Sequence, residues 1–177
     1  VHDIIEIQKV TGLPVIGIIK RNYQDSEVFI TATKEEVNAL IETGCEMIAL
    51  DATIRPRPNG EKLEDLLKLI KNAGVEAMAD CSTFEEAKIA ESMGFDCVST
   101  TLAGYTDYSV DVEGPNYELI HKMVAEIKIP VIAEGKIHTP EQLLEVMNLG
   151  VHSAVVGGAI TRPQEIAARF IKKIKEK

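Results

Sequence analysis

Short apolar runs bounded by turn residues alternate along the chain with stretches whose apolar positions recur at helical spacing. The runs Leu13–Lys20, Glu46–Asp51, Val75–Asp80, Asp96–Thr101, Ile129–Glu134 and Ser153–Gly157 predict six strands. The stretches Thr33–Thr43, Glu61–Asn72, Ser82–Met93, Tyr117–Ile127, Pro140–Leu149 and Pro163–Lys175 predict helices, and a helical fragment at His2–Val10 precedes them. Glu61–Asn72 is typical: Leu63, Leu66, Leu67 and Ile70 fall on one face. Start signals agree with the periodicity. Thr33 is followed by Glu35 and Glu36, Ser82 has Glu85 as a capping-box partner, and Pro140 and Pro163 open their helices. Gly44, Gly74, Gly94 and Gly150 close helices just ahead of a strand.

The repeating unit is therefore βα, which builds a parallel sheet with right-handed crossovers. The strands are too apolar to be half exposed, yet four of them stop on a charge: Lys20, Asp51, Asp80 and Glu134. In a parallel α/β barrel the carboxyl ends of the strands meet at one mouth, where active sites form. A strand count of six also suits an open doubly wound sheet, but that sheet carries a glycine-rich phosphate turn after its first strand. Here Lys-Arg-Asn-Tyr follows the first strand, and Gly157-Gly158 follows the last. A late glycine pair fits a TIM barrel, whose phosphate site uses the loops after strands seven and eight. On that reading residues 1–177 are a single domain of six C-terminal βα units. The first two strands and first helix of a (β/α)8 barrel, about 40–50 residues, are expected to be missing from this chain. The longest irregular stretch, Gly104–Pro115, has the length of a functional loop.

Composition narrows the function. Aromatic residues make up only 5% of the chain and Trp is absent, so the core must be aliphatic. The net charge of −9 argues against a broad nucleic-acid surface, although one arginine and a few backbone N–H groups suffice for a small anionic substrate. No apolar run is long enough to span a membrane. Cys45, Cys81 and Cys97 are odd in number and lack metal-ligand spacing, which predicts buried free thiols in a reducing, cytoplasmic compartment; no signal peptide is visible. His2, His121, His138 and His152 show no metal spacing either, so neither a metal nor a catalytic histidine is expected.

The candidate chemistry gathers at the strand ends. Gly157-Gly158 lets backbone N–H groups approach an anion without a Cβ in the way, and Arg162-Pro163 opens the last helix, so this segment reads as a phosphate site or simply as a tight turn. Gly135, at the mouth of the preceding strand, strengthens the phosphate reading. Lys20 would face the mouth among apolar neighbours, where partial burial makes an amine a usable base; the alternative is a surface lysine in the loop Lys20-Arg21-Asn22. Glu134 can take a proton, orient a hydroxyl or pair with Lys20. Asp51 and Asp80 share its placement and read equally well as caps or ion-pair partners. The stiff basic run Arg55-Pro56-Arg57-Pro58-Asn59-Gly60 is either a solvated turn or a substrate contact.

The segments GIIKRNY, MIALDAT with RPNG after it, MADCST, DCVSTTLAGYT, PVIAEGKI and AVVGGAITRP together resemble the N-acetylmannosamine-6-phosphate 2-epimerases, in order and over essentially the whole chain. The resemblance implies a (β/α)8 TIM barrel of the phosphate-binding type. It implies interconversion of N-acetylmannosamine 6-phosphate and N-acetylglucosamine 6-phosphate in sialic acid catabolism, without metal or redox cofactor. It makes Lys20 and Glu134 catalytic, puts Asp80 on the sugar hydroxyls, and gives the phosphate to Arg162 with Gly135, Gly157 and Gly158. Asn22, Tyr105 and Arg57 are further candidates for substrate contact. The only partner implied is the small phosphosugar, with neither nucleic acid nor membrane; a homodimer is compatible. Family members carry a Gln on a first strand and an Arg on a second that touch substrate, and neither strand is present here. A phosphosugar-binding module without turnover is the alternative. A pentulose-phosphate epimerase would want metal-binding His and Asp at strand ends, and these strand ends lack His. A nonenzymatic scaffold would leave four charged strand ends uncompensated.

Overall fold

A computed structural model of the chain describes residues 1–175. Its six strands are β1 (Ile16–Gly17), β2 (Met47–Asp51), β3 (Glu76–Asp80), β4 (Cys97–Ser99), β5 (Val131–Glu134) and β6 (Ser153–Val155). They pair in chain order, all parallel, so each crossover returns to the neighbouring position. The helices are α1 (His2–Thr11), α2 (Lys34–Ile41), α3 (Leu63–Asn72), α4 (Phe84–Met93), α5 (Tyr117–Glu126), α6 (Pro140–Asn148), α7 (Gly158–Thr161) and α8 (Pro163–Lys175). The sheet curls: Ile18 and Lys20 from beyond β1, Val155 of β6 and Gly157 just past it line the same cavity although these strands lie at opposite edges. Among the described residues the two edges do not pair with each other, so the result is a curled, parallel half-barrel.

The two faces of the sheet are set by the period of two along each strand. Ile48, Leu50, Ala77, Ala79, Val98, Val131 and Ala133 point outward into the main core, where Leu66 and Leu67 and Ile70 of α3 and Ile120 and Met123 of α5 meet them. Each fully buried Leu or Ile there contributes roughly 1.5–3 kcal/mol of apolar transfer energy. The alternate residues Ala49, Met78, Cys97 and Ile132 form a small inner layer. Two residues further along, the same inner face carries Asp51, Asp80, Ser99 and Glu134. The register pairs Asp51 with Asp80, Asp80 with Ser99, and Glu134 with Val155. Polar strand ends are thus forced onto one floor by the same alternation that fills the core. Gly17 faces the other way: a Cβ there would come within 2.8 Å of the Cys45 sulfur and 3.2 Å of Leu40. Alternation from Gly17 puts Ile16 and Ile18 on the inner side and carries Lys20 with them.

Several expectations need correction. The first strand is shorter than Leu13–Lys20. Pro14 has no N–H to give, and beyond Gly17 the chain turns into an antiparallel excursion in which Lys20 bridges Ile30 and the Thr31 N–H donates to the Ile19 carbonyl. The returning segment reaches β2 instead, where the Asp51 N–H donates to the Ile30 carbonyl. The cap of α4 is Thr83 with Glu86, not Ser82 with Glu85. Glu86 is the buried member of the pair and also accepts from the Ser82 N–H and hydroxyl, both at 2.7 Å, so a shift of one residue satisfies more donors. The short helix α7 between the glycine pair and α8 was not expected. The three cysteines are buried and free.

Inner and outer elements differ sharply in burial. Neither α1 nor α8 has a fully buried residue, and Val10, Phe170 and Ile174 stand more than two-thirds exposed on them. No helix among the described residues is long and apolar enough to cross a membrane.

Candidate active site

A cavity of about 540 Å³ opens at the carboxyl ends of the strands. Of the residues singled out in the sequence, Lys20, Tyr105, Glu134, Gly135, Gly157, Gly158 and Arg162 all line it. Amine, carboxylate, glycine pair and guanidinium, distant in the chain, therefore share one space. Lys20 is solvent-exposed rather than partly buried, because the turn into the antiparallel excursion lifts it to the rim. Glu134 is half-buried, and burial raises its carboxyl above the ordinary glutamate value; the Thr101 hydroxyl and then the Lys20 ammonium pull it back down.

Asp80 lies outside the cavity wall and is almost fully buried. Burial, and then the charge of Glu134, push its pKa up to about 7. The Ser99 hydroxyl donates to Asp80 Oδ1 at 2.7 Å, as their adjacent register positions dictate, and the Thr101 hydroxyl donates to the same oxygen at 2.8 Å. The Ser99 and Thr101 hydroxyls are themselves 2.5 Å apart. Thr101 thus stands between the buried acid and the cavity, touching Asp80 behind and Glu134 in front.

Asp51 and Arg57 are differently employed. Asp51 accepts from the Thr53 hydroxyl at 2.6 Å and from the Thr53 N–H at 3.0 Å, and pairs with Arg55 at 2.7 Å. Arg57 is turned inward, donating to the carbonyls of Thr31 and Ala32 at 3.2 Å and to that of Asp51. Burial lowers its pKa, and the Asp51 charge partly restores it. The basic run is not part of the cavity wall: Arg57 ties the loop beyond β1 to the end of β2, and Arg55 braces the start of the loop beyond β2 through Asp51 and Thr53. Asn22 is exposed and also off the cavity wall.

The phosphate-like corner is built from loop geometry. Gly135 has φ +103°, a value open to glycine, and its backbone turns the chain across the mouth just after Glu134. Gly157 and Gly158 stand at the start of α7: nothing lies within 4 Å of a Cβ built on Gly157, while one on Gly158 would come within 3.1 Å of the Glu165 carboxylate. Arg162 follows at the end of α7, its guanidinium 2.8 Å from Glu165. An anion seated here would meet glycine N–H groups and one guanidinium.

Thr101 and Lys136 also line the cavity, and sequence reasoning passed over both. Thr101 lies in a run of three hydroxyl residues, Ser99-Thr100-Thr101, at a strand end, which is a usable signal. Lys136 directly follows Gly135, so its cation had to lie at the same mouth. His138, given no role from the sequence, is on the cavity wall as well. No group of His, Cys, Asp and Glu that could hold a metal ion occurs among the described residues.

Known proteins match this chain along nearly its whole length. The family described as "Putative N-acetylmannosamine-6-phosphate epimerase" matches residues 1–176. A protein of Clostridioides difficile named "Putative N-acetylmannosamine-6-phosphate 2-epimerase" is 62% identical over 174 residues, which cover 98% of this chain and 78% of that protein. A Clostridium perfringens protein of the same name is 60% identical over 170 residues, covering 96% of this chain and 77% of its own length. The solved structure of the N-acetylmannosamine-6-phosphate 2-epimerase from Clostridium perfringens superposes with a TM-score of 0.95 at 59% identity, covering 97% of this chain and 75% of that one. With the strand order, the cavity and the matched length in agreement, this chain belongs to the N-acetylmannosamine-6-phosphate epimerase family.

Proposed function

We propose that the protein is an isomerase that interconverts N-acetylmannosamine 6-phosphate and N-acetylglucosamine 6-phosphate in amino-sugar catabolism. The observation that carries this reading is one cavity lined by Lys20, Glu134, Gly157, Gly158 and Arg162 in a chain about 60% identical to proteins named for that activity.

Inversion at the carbon bearing the N-acetyl group needs its proton removed and one returned on the opposite face. Once the sugar ring opens, that carbon sits beside an aldehyde and its proton becomes labile. Lys20 transfers the proton at this carbon. Glu134, whose carboxyl is raised by burial, assists ring opening or holds the sugar, and an acid near the aldehyde oxygen stabilises the enolate. Arg162 and the glycine N–H groups hold the 6-phosphate, fixing the reacting carbon relative to Lys20. Asp80 reaches the sugar hydroxyls through the Thr101 hydroxyl it accepts from. Tyr105 forms part of the sugar-facing wall. No step requires a bound metal or redox cofactor.

The same reading includes a complete (β/α)8 barrel of the phosphate-binding type, closed by two strands and a helix between β6 and β1. Among the described residues the outer edges of β1 and β6 are unpaired, which supports it, as do the exposed Ile16 and Ile18. It also includes a homodimer, measurable by light scattering, and a reducing compartment, which the three buried free thiols support.

Calorimetry with N-acetylmannosamine 6-phosphate and with unphosphorylated N-acetylmannosamine, run beside a turnover assay, tests the proposal. Tight binding of the phosphate ester alone, with turnover, is expected. Binding without turnover would favour a phosphosugar-binding module, for which the open sheet edges are the supporting observation.

A further inference from the structure

The loop Gly104–Pro115 is tied down at two places. Its first half is fixed to α4: the Tyr108 hydroxyl donates to Glu86 Oε1 at 2.6 Å and the Thr106 hydroxyl donates to the Ser82 oxygen at 3.1 Å. Its second half is held from the other side of the cavity. Lys136 Nζ donates to the Asp111 carboxylate and, at 2.9 Å, to the Val112 carbonyl. At the end of the loop the Tyr117 N–H donates to the Pro115 carbonyl at 3.0 Å, so Lys136 holds the stretch Asp111–Val112 between two anchored ends. The same ammonium lies 5.6 Å from the centre of the Tyr105 ring, within cation–π range.

Two backbone features single out this contact. Lys136 has φ +55°, a left-handed conformation that a non-glycine residue rarely adopts, directly after Gly135. Gly104, at φ +78°, leaves the space the contact occupies: a Cβ there would come within 2.9 Å of Lys136 Nζ and 3.1 Å of the Asp111 carboxylate. Lys136 is half-buried while Asp111 is exposed, so the cation is held by β5 and the anion comes to it with the loop.

We propose that Lys136 is a positioning residue. It clamps the Gly104–Pro115 loop onto the carboxyl end of β5 and so holds Tyr105 as one wall of the cavity. The inference rests on that cavity being the sugar-phosphate site. Releasing the clamp lowers the population of loop conformers competent to bind, which weakens apparent affinity in proportion and leaves the chemistry of the bound complex nearly intact.

The test uses Lys136→Met, which keeps the side-chain stem, Asp111→Asn, and the double variant, each in the full chain. Amide hydrogen exchange of the ligand-free protein should be about tenfold faster over residues 104–113 in Lys136→Met. The KM for N-acetylmannosamine 6-phosphate should rise about tenfold with kcat changed less than about threefold. Asp111→Asn should move both quantities in the same direction, and the double variant should be no worse than Lys136→Met, because both members serve one contact. Asp111 is exposed, so its variant carries the test if Lys136→Met does not fold. Unchanged exchange in these variants would overturn the proposal, as would faster exchange with an unaltered KM. A fall in kcat at constant KM would also overturn it, by placing Lys136 in the chemistry. Failure of the epimerase reading shows separately, as absence of turnover in the unaltered protein, and leaves the exchange result standing.

Discussion

Asp51 and Glu134 end parallel strands of the same sheet on the same inner face, yet they live in opposite circumstances. Asp51 is fully buried and saturated: Thr53 gives it two hydrogen bonds and Arg55 a close guanidinium, while Arg57 covers its carbonyl. Glu134 opens on the cavity, with the Thr101 hydroxyl behind it and the Lys20 ammonium across from it. The middle of the half-barrel uses charge to hold loops together, and the side carrying β5, β6 and Lys20 leaves charge free for a ligand. Strand-end position confers opportunity; the partners within reach decide what is made of it.

The largest expected effect separates the two carboxylates by stability. Asp51→Ala strands the Arg55 guanidinium in a nearly dry site and should cost about 3–5 kcal/mol in denaturant unfolding. Glu134→Ala should leave unfolding close to wild type, since it removes a carboxyl that burial disfavours. Equal losses from the two would erase the distinction.

Next comes activity. Glu134→Gln keeps the shape and removes the acid, and should reduce kcat by about a hundredfold, within the ordinary range for a general acid or base. Full activity in that variant would take Glu134 out of the chemistry.

A smaller effect concerns Asp80, which lies between the two in the sheet. Its pKa rises from 3.8 to about 7, so between those values the folded protein keeps a proton that the unfolded chain has lost. Asp80 is therefore least costly below pH 3.8, and stability falls as pH rises through that window, by at most about 1.4 kcal/mol per pH unit. Thermal melts of Asp80→Asn should show a flatter decline between about pH 5 and 7 than wild type. Parallel curves would mean that Asp80 is ionised throughout.

The smallest effect probes the outer face of the same sheet. Gly17→Ala pushes a methyl against the Cys45 sulfur and Leu40, and should destabilise by about 1–3 kcal/mol without touching the cavity.

Much of this division was visible in the chain and part was not. Apolar runs ending on Lys20, Asp51, Asp80 and Glu134 announce a parallel sheet with a charged rim, because strand period and burial act locally. The glycines at positions 44, 74, 94 and 150 fix the rhythm of the units, each with positive φ. The fate of each charge was hidden because it depends on partners supplied by packing. Arg57 reads as a substrate contact or a solvated turn until three carbonyls close around it. Lys136 reads as an ordinary loop lysine until Asp111 arrives from a loop 25 residues away. The edge strand β1 was overestimated because the run Leu13–Lys20 stays apolar where the backbone has already left the sheet.

The most direct test of the central claim is solvent-deuterium incorporation at the carbon bearing the N-acetyl group, followed by proton NMR during turnover. The unaltered protein should exchange that hydrogen as it epimerises. Lys20→Ala should lose exchange and epimerisation together by about a thousandfold, with phosphate-dependent binding retained. Exchange that persists in Lys20→Ala would contradict the account.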